Sequence, residues 1–259
     1  MSSNNLFSMK GRVALITGGS RGLGLQMAEA LGDQGAKVII SARKSAELEQ
    51  AQAHLKSRGI VADWVAADGA KAESMHALVD TVLQRHGRVD VLINNAGTSW
   101  GAPAEDHPLE AWDKVFDLNV RGLFVLSQQI GKRSMIPNRY GRILNIASIA
   151  GLRGNPPGSM QTIAYNTAKA AVVNFTRTLA GEWGVHGITV NALAPGFFPS
   201  KMSKGLIAQV GEEALAGNAP LKRLGGDQDL KGAALLFASD AGSHITGQIL
   251  AVDGGYSAV

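Results

Sequence analysis

The segment Thr17-Gly18-Gly19-Ser20-Arg21-Gly22-Leu23-Gly24 follows a short apolar run and opens a long amphipathic one. Glycines here permit a tight strand-to-helix turn and let backbone amides approach a pyrophosphate at a helix N-terminus. The spacing is G-x-x-x-G-x-G, not G-x-G-x-x-G, and its position after the first strand disfavours an ordinary glycine-rich turn. The segment therefore predicts a phosphate cradle, whose candidate contacts are Gly18, Ser20, Arg21, Gly22, Leu23 and Gly24.

Outward from this turn, short β-branched runs alternate with longer amphipathic runs, a pattern that predicts βαβ units and a parallel sheet. Right-handed crossovers place helices on both faces of such a sheet. We predict an α/β fold over residues 1–259, a single-domain doubly wound parallel sheet (Rossmann) of about seven strands. The strand candidates are Val13–Ile16, Val38–Ser41, Val61–Ala66, Val89–Asn94, Arg142–Ala147, Ile188–Leu193 and Gln248–Val252. The helix candidates are Leu23–Gln34, Ala46–Ser57, Ala72–His86, Leu109–Met135, Ala164–Trp183 and Asp229–Ala238.

The composition narrows the class of protein. The 259 residues are 45% hydrophobic and 18% charged, enough for one domain with a sizeable core. No apolar run reaches the length of a membrane span, and Met1 to Lys10 lacks the apolar segment of a secretory signal, so we expect a cytoplasmic protein. Cysteine is absent, which excludes disulfides and thiolate metal sites, and we expect no metal. The formal charge of +4 without a long basic run argues against nucleic acid and suits an anionic cofactor or substrate.

The end of the second strand indicates which dinucleotide is bound. An NAD-preferring site usually places an acidic residue there to accept from the ribose hydroxyls. This chain instead reads Ile40-Ser41-Ala42-Arg43-Lys44. A guanidinium suits a 2′-phosphate through charge-assisted bonds, and Arg21 is placed to bracket the same phosphate. We therefore predict NADP(H), against the alternative that Arg43 is only a solvated surface residue.

Tyr165 and Lys169 lie four apart in a run of helical periodicity, so they share one helix face. The unperturbed pKa of a phenol is near 10, and a neighbouring ammonium lowers it towards working pH. An isolated pair of this kind is more often a solvated helix face. The cradle and a nearby hydroxyl partner instead favour a proton donor and acceptor.

Together these residues resemble the short-chain dehydrogenase/reductase family from about Lys10 to Tyr256. The segment Thr17–Gly24 is similar to the family's TGxxxGxG turn, and Asn94-Asn95-Ala96-Gly97 to its NNAG motif. The resemblance implies four residues of the reaction: Asn119 holding a water, Ser148 bonding the substrate oxygen, Tyr165 exchanging the proton, and Lys169 lowering the tyrosine pKa and holding the nicotinamide ribose. The further cofactor contacts that it implies are Asp68, Gly69, Asn95, Ala96, Gly97, Pro195, Gly196, Phe198 and Ser200. It also implies a homotetramer formed through the two longest helices.

Two segments depart from the alternating pattern and are expected to form the walls of the substrate pocket. Ser148 and Tyr165 are 17 positions apart, more than is usual in the family, and the extra length falls in the proline-containing loop Gly151–Thr162. A neutral surface insertion is the alternative. The second wall is a predicted helical lid at 195–220. Its Lys201 and Lys204 are expected to keep the lid soluble, and contact with an acidic substrate is the alternative. Its expected apolar contacts are Phe197, Phe198, Met202, Leu206 and Ile207.

The resemblance extends to two groups of enzymes with different substrates: 3-oxoacyl thioester reductases and gluconate 5-dehydrogenase-like enzymes. Arg139 falls near one arginine that docks an acyl carrier protein, but the second position appears as His186. We expect an NADP-dependent oxidoreductase of a small-molecule carbonyl or alcohol, first a 3-oxoacyl thioester or related ketone. The alternatives are a sugar acid or, in another class, a non-catalytic dinucleotide-binding scaffold.

Overall fold

The computed structural model describes residues 6–156 and 158–259, with only the backbone described at Leu206 and Gln209. Pro157 of the predicted loop and the first five residues of the N-terminal segment lie outside this range. Seven strands occur in the order β1 Val13–Thr17, β2 Lys37–Ala42, β3 Ala62–Ala66, β4 Val91–Asn94, β5 Gly141–Ile146, β6 Ile188–Pro195 and β7 Ile249–Val252. The α-helices are α1 Gly22–Asp33, α2 Ser45–Ser57, α3 Ala72–His86, α4 Leu109–Phe116, α5 Leu123–Ile130, α6 Ile136–Asn138, α7 Ile163–Trp183, α8 Lys204–Val210, α9 Glu212–Gly217 and α10 Lys231–Ala238.

The strands form one parallel sheet in the order β3-β2-β1-β4-β5-β6-β7, which confirms the predicted fold class. The chain builds outward from β1 through β2 and β3, then returns to the other side of β1 with β4. The strand order therefore reverses between β1 and β4, and ligands of open α/β sheets bind at the carboxyl ends of such strands.

Helices cover both faces because the central strands are apolar on both sides. Ala14 and Ile16 of β1 pack into a core with α1, α2 and α10. Val13 and Leu15 of the same strand pack into a second core with α3, α5 and α7. No helix within the described ranges has both the length and the apolar character needed to span a bilayer.

The predicted helix Leu109–Met135 is helical throughout but not regular. Two π-helical segments, Asp117–Gly122 and Gly131–Met135, separate α4, α5 and α6. Gly122 packs against the loop after β3 so closely that a Cβ there would lie 1.8 Å from the Gly69 carbonyl oxygen. Single π-helical turns are often found at functional sites, and this one carries Asn119.

Candidate active site

The ends of β1 and β4 are tied together by Thr17 and Asn95. The Thr17 hydroxyl accepts from the backbone N–H groups of Asn95 and Ala96, both at 3.1 Å. The Asn95 side chain donates to the carbonyl oxygens of Thr17 (2.9 Å) and Gly18 (3.1 Å). This fixes the glycine-rich turn at the switch point. Thr17 was not among the predicted contacts, although its place at the head of the glycine motif pointed to it.

The turn itself fits a pyrophosphate. Gly18 and Gly22 have positive φ angles of 63° and 54°, which favour glycine. A Cβ at Gly24 would lie 2.3 Å from the Gly18 carbonyl oxygen, so helix and turn meet backbone to backbone. Within the described chain, the N–H groups of Gly22, Leu23 and Gly24 at the start of α1 donate to no protein acceptor. They remain available to an anion that the helix dipole also favours.

The residues predicted to contact the adenine and its ribose lie in the loops after β3 and β4. Asp68 follows β3 and folds back locally, its carboxylate accepting from the Ala70 N–H at 3.2 Å. Gly69 packs against Leu118, where a Cβ would lie 2.7 Å from that side chain. A Cβ at Gly97 would lie 3.3 Å from the Asn119 Oδ1 and 3.6 Å from the Lys169 Nζ. The NNAG segment thus runs from the cradle to the residues predicted for the reaction.

The corner expected to hold a 2′-phosphate contains one feature that the sequence analysis missed. The turn reaches the end of β2 through a bond from the Gly19 N–H to the Ser41 carbonyl oxygen. Arg21 there forms an ion pair of 2.7 Å with Glu47, which also lies 3.5 Å from Lys44. Arg43 is exposed and has no ion-pair partner in the part of the chain that the structure describes. The sequence shows that Glu47 lies three residues after Lys44, close enough to pair with it. It does not show the pairing of Glu47 with Arg21, which spans 26 residues.

Asn119 is almost completely buried on the π-helical turn. Its Oδ1 accepts from the Thr98 N–H and its Nδ2 donates to the Thr98 carbonyl oxygen, both at 2.9 Å. The amide therefore holds the chain just after the NNAG segment in place.

Ser148, Tyr165 and Lys169 come together where β5 meets α7. Ser148 follows β5, and its hydroxyl accepts from the Ala150 N–H at 3.1 Å. The Lys169 Nζ donates to the Ile146 carbonyl oxygen at 2.6 Å and lies 5.6 Å from the centre of the Tyr165 ring. Gly151 allows the next turn to pack directly on the backbone of Lys169, where a Cβ would be only 2.5 Å away.

The pKa values of this cluster differ from the expectation that Lys169 lowers the pKa of Tyr165. Burial raises the pKa of Tyr165 above its ordinary value, and the hydrogen bond from Ser148 offsets this only in part. Burial also lowers the pKa of Lys169 to about 8. The expectation was wrong for the protein alone because desolvation disfavours both the phenolate and the ammonium. The phenol is therefore protonated, as a proton donor to a substrate oxygen must be.

The predicted nicotinamide contacts follow β6. The Gly196 N–H donates to the Val252 carbonyl oxygen at 3.0 Å, and a Cβ at Gly196 would lie 2.7 Å from the Asp253 Cβ. The ring of Phe198 is buried against Gly225. The hydroxyl of Ser200 lies 3.0 Å from that of Ser203. With these side chains engaged, backbone groups are what Phe198 and Ser200 can offer a ligand.

The predicted lid contains α8 and α9, and two of its expected apolar residues pack within the lid itself. Phe197 and Ile207 pack with Leu215, Ala216 and Leu224 into a small separate core. Met202 is 52% exposed, and the Leu206 side chain lies outside the described structure. A cavity of about 120 Å³ lies behind the lid, lined by Phe197, Leu215, Leu224 and Tyr256 among others, but not by Ser148 or Tyr165. Phe197 and Ile207 thus contribute to the packing of the two short helices, and the role of the lid as a wall of the substrate pocket stays a prediction.

Comparisons with known proteins agree with this architecture. The profile of a family described as enoyl-(acyl carrier protein) reductase matches residues 18–257. Gluconate 5-dehydrogenase of Gluconobacter oxydans is 36% identical over 256 residues, covering 98% of each chain. A 3-oxoacyl-[acyl-carrier-protein] reductase of Synechocystis sp. is 38% identical over 250 residues, covering 96% of this chain and 98% of that one. The crystal structure of a gluconate 5-dehydrogenase from Burkholderia cenocepacia in complex with NADP and tartrate superposes with a TM-score of 0.93 at 32% identity, covering 98% of each chain.

Proposed function

Because this chain belongs to the short-chain dehydrogenase/reductase family, we propose that Asn119, Ser148, Tyr165 and Lys169 interconvert a ketone and a secondary alcohol. The protein is an NADP-dependent oxidoreductase acting on CH–OH groups. NADPH, when bound, supplies the hydride, and the chain supplies orientation, electrostatics and the proton. The cradle Gly18–Gly24 would hold the pyrophosphate, and Arg43 with Arg21 the 2′-phosphate.

The observation that carries this proposal is the meeting of the half-buried Tyr165 with the buried Ser148 and Lys169 at the carboxyl end of β5. The Ser148 hydroxyl donates to the carbonyl oxygen of the substrate as negative charge develops there. Tyr165 gives its proton to the same oxygen, so the ketone becomes an alcohol. Lys169, held by the Ile146 carbonyl, replaces the proton on the phenolate, and its pKa of about 8 suits exchange near neutral pH. Asn119 keeps the Thr98 backbone, and hence the floor of this cluster, in position.

A cofactor-binding scaffold without turnover is the alternative from another class. A scaffold needs the cradle but has no use for a buried, unfavourably desolvated lysine beside a phenol. Consumption of NADPH with a panel of carbonyl compounds distinguishes the two. The proposal predicts turnover with at least one ketone, and binding of NADPH without turnover across keto sugar acids, 3-oxoacyl thioesters and simple ketones would support the scaffold.

Two substrate classes remain as proposals: a 3-oxoacyl thioester or related ketone, and a hydroxylated sugar acid. The geometry favours the sugar acid. The loop after Ser148 carries polar groups near the site, with Asn155 bonded to Thr162 and Asn166. Phe197 and Ile207 of the lid pack in a separate core. Arg139 and His186 lie together near the amino ends of β5 and β6, at the opposite edge of the sheet from Tyr165. This location does not favour a carrier-bound substrate.

Rates with 5-ketogluconate and with acetoacetyl-coenzyme A test this order of preference. We expect a higher kcat/KM for the keto sugar acid. A higher value for the thioester would reverse the order without affecting the proposed reaction.

The homotetramer also remains a proposal, supported by exposed apolar side chains on the helices expected to form it. Leu109 is 76% exposed, Phe124 46% and Ile163 43%. Light scattering coupled to gel filtration tests it, and a mass near the 27.0 kDa of one chain would reject it.

A further inference from the structure

An aromatic and cationic stack joins the two segments that flank the proposed site. The guanidinium of Arg153, in the loop after Ser148, lies 4.5 Å from the centre of the Tyr256 ring. That ring meets Phe197, the first lid residue after the Pro195-Gly196 turn, edge to face at 5.5 Å. The stack therefore connects the loop, the C-terminal segment and the base of the lid.

The Arg153 charge has no acidic partner among residues 6–156 and 158–259. Two acids that line the same cavity as Tyr256 and Phe197 have other partners. Asp253 accepts from the N–H groups of Gly255 (2.9 Å) and Ser257 (2.7 Å). Asp229 forms two hydrogen bonds with Arg223. Arg153 is thus held by a ring face. Its guanidinium N–H groups meet no acceptor in the described parts of the chain, an arrangement in which arginine binds a planar carboxylate.

Both ends of the stack lie a few residues along the chain from segments that pack at the proposed site. Arg153 is two residues beyond Gly151, which packs on the backbone of Lys169. Phe197 directly follows Gly196, at the carboxyl end of β6 beside Asp253. Asp253 in turn fixes the turn that carries Tyr256, whose N–H donates to the Asp253 carbonyl oxygen. Arg153 and Phe197 therefore lie on the two segments that leave the carboxyl ends of β5 and β6, where Ser148 and the Pro195-Gly196 turn also lie.

Building on the proposed function, we propose that Arg153, supported by Tyr256, recognises a carboxylate of the substrate. The substrate class is then a keto acid or hydroxy acid whose acidic group lies a few bonds from the reacting carbon. Arg153 would contribute to binding and orientation and would take no part in proton transfer. Stacking on Tyr256 limits the rotamers of a long side chain, which lowers the entropy cost of forming a bidentate bond.

A matched pair of substrates isolates the charge: a 3-oxo acid and its methyl ester, together with 5-ketogluconate. Arg153→Gln is expected to raise KM for the acids about tenfold to hundredfold, the range for losing a hydrogen bond to a charged group. The kcat should stay within about threefold, and KM for the ester within about twofold. Tyr256→Leu should raise KM for the acids several-fold, whereas Tyr256→Phe keeps the ring and should change little.

Two controls separate this from general effects. Arg58→Gln removes the same charge from an exposed arginine after α2, at the opposite edge of the sheet, and should leave all KM values unchanged. Calorimetric binding of tartrate to the NADP-loaded protein measures acid recognition without turnover, and Arg153→Gln should weaken it at least tenfold. Thermal melting and NADPH affinity of each variant verify folding.

The proposal is overturned if Arg153→Gln changes the acid and ester equally, or if it leaves both the KM of the acids and the tartrate affinity unchanged. It is also overturned if Arg153→Gln raises KM for acetoacetyl-coenzyme A as much as for the acids. Arg153 would then bind the phosphates of coenzyme A and not a substrate carboxylate. A wild-type protein that reduces no carbonyl compound would reject the proposed function, and the tartrate measurement would still decide the role of Arg153.

Discussion

The two ends of the proposed cofactor site differ in how the chain holds its charges. At the reaction end, Lys169 is buried, its Nζ is bonded to the Ile146 carbonyl, and its pKa falls to about 8. At the 2′-phosphate end, Arg43 is exposed, and Arg21 pairs at the surface with Glu47, whose side chain is 30% exposed. The Lys169 ammonium is therefore desolvated, whereas the guanidinium groups of Arg43 and Arg21 are exposed to solvent.

This difference in burial determines how large an effect each substitution has on rate or affinity. Burial strengthens electrostatic interactions and makes proton affinity depend on a few neighbours. A surface ion pair contributes only about 0–1 kcal/mol because water and salt screen it. Substitutions at the reaction end should therefore change rates by orders of magnitude, and those at the phosphate end should change affinities by smaller factors.

The largest effect is expected from Tyr165→Phe. It removes only the hydroxyl, so turnover should fall by about two to four orders of magnitude, the usual contribution of acid–base catalysis. NADPH affinity and the melting temperature should be nearly unchanged. Tyr140→Phe is the matched control, since its hydroxyl bonds Asp240 away from the cluster, and it should retain full turnover. More than a tenth of the activity in Tyr165→Phe would show that another group donates the proton.

The buried lysine gives the next largest effect, in stability. The pKa of Lys169 is about 8 in the folded protein and about 10.5 when solvated. Between these values the unfolded chain binds more protons, so the free energy of unfolding should gain about 1.4 kcal/mol per pH unit from pH 8 to 10.5. Below pH 8 the full cost of burial, about 3 kcal/mol, is present.

Urea unfolding of wild type and Lys169→Met at pH 7, 8, 9 and 10 measures this contribution by difference. The variant should be more stable at pH 7, and its advantage should shrink above pH 8. Lys44→Met, at a lysine whose side chain is 68% exposed, is the control and should show a constant difference. A constant difference for Lys169→Met as well would contradict the effect of burial on its pKa.

The sequence predicted those features of the fold and of the site that depend on spacing between nearby residues. Tyr165 and Lys169 share a helix face because four residues make about one turn, and the glycine turn lies between β1 and α1 because its residues permit that geometry. The parallel order of the sheet followed from the alternation of strands and helices. These inferences depend on neighbours along the chain, which a single sequence displays.

Contacts between distant residues were the part that spacing could not reveal. Glu47 pairs with Arg21 across 26 residues. Arg153 stacks on the Tyr256 ring, which lies 103 residues further along the chain. The inward packing of Phe197 likewise depends on Leu215 and Leu224. An apolar residue in a lid reads the same in sequence whether it faces a substrate or the lid's own core.

Gly122 of the π-helical turn packs on the Gly69 carbonyl, and a substitution there should disturb the turn that carries Asn119. With a Cβ only 1.8 Å from that oxygen, Gly122→Ala must shift the backbone, and we expect it to destabilise the protein by about 2 kcal/mol. Gly181→Ala in α7 meets no atom within 4 Å and should be neutral or stabilising by up to about 1 kcal/mol. Equal stabilities of the two variants in chemical denaturation would show that the turn yields without cost.

The smallest effect is expected at the exposed end, from Glu47→Gln. The Glu47 carboxylate forms an ion pair of 2.7 Å with Arg21. It therefore competes with a 2′-phosphate for that guanidinium, and its negative charge repels the phosphate. Removing the charge should tighten NADPH binding about twofold to fivefold, consistent with the small worth of a surface pair, and should leave NADH binding within about twofold. The gain should diminish in 0.5 M salt, since exposed charges are screened. Glu49→Gln, an exposed acid on the same helix, is the control and should change neither affinity. Fluorescence titration measures both cofactors, and weaker NADPH binding by Glu47→Gln would mean that Glu47 positions Arg21 for the phosphate instead of competing with it.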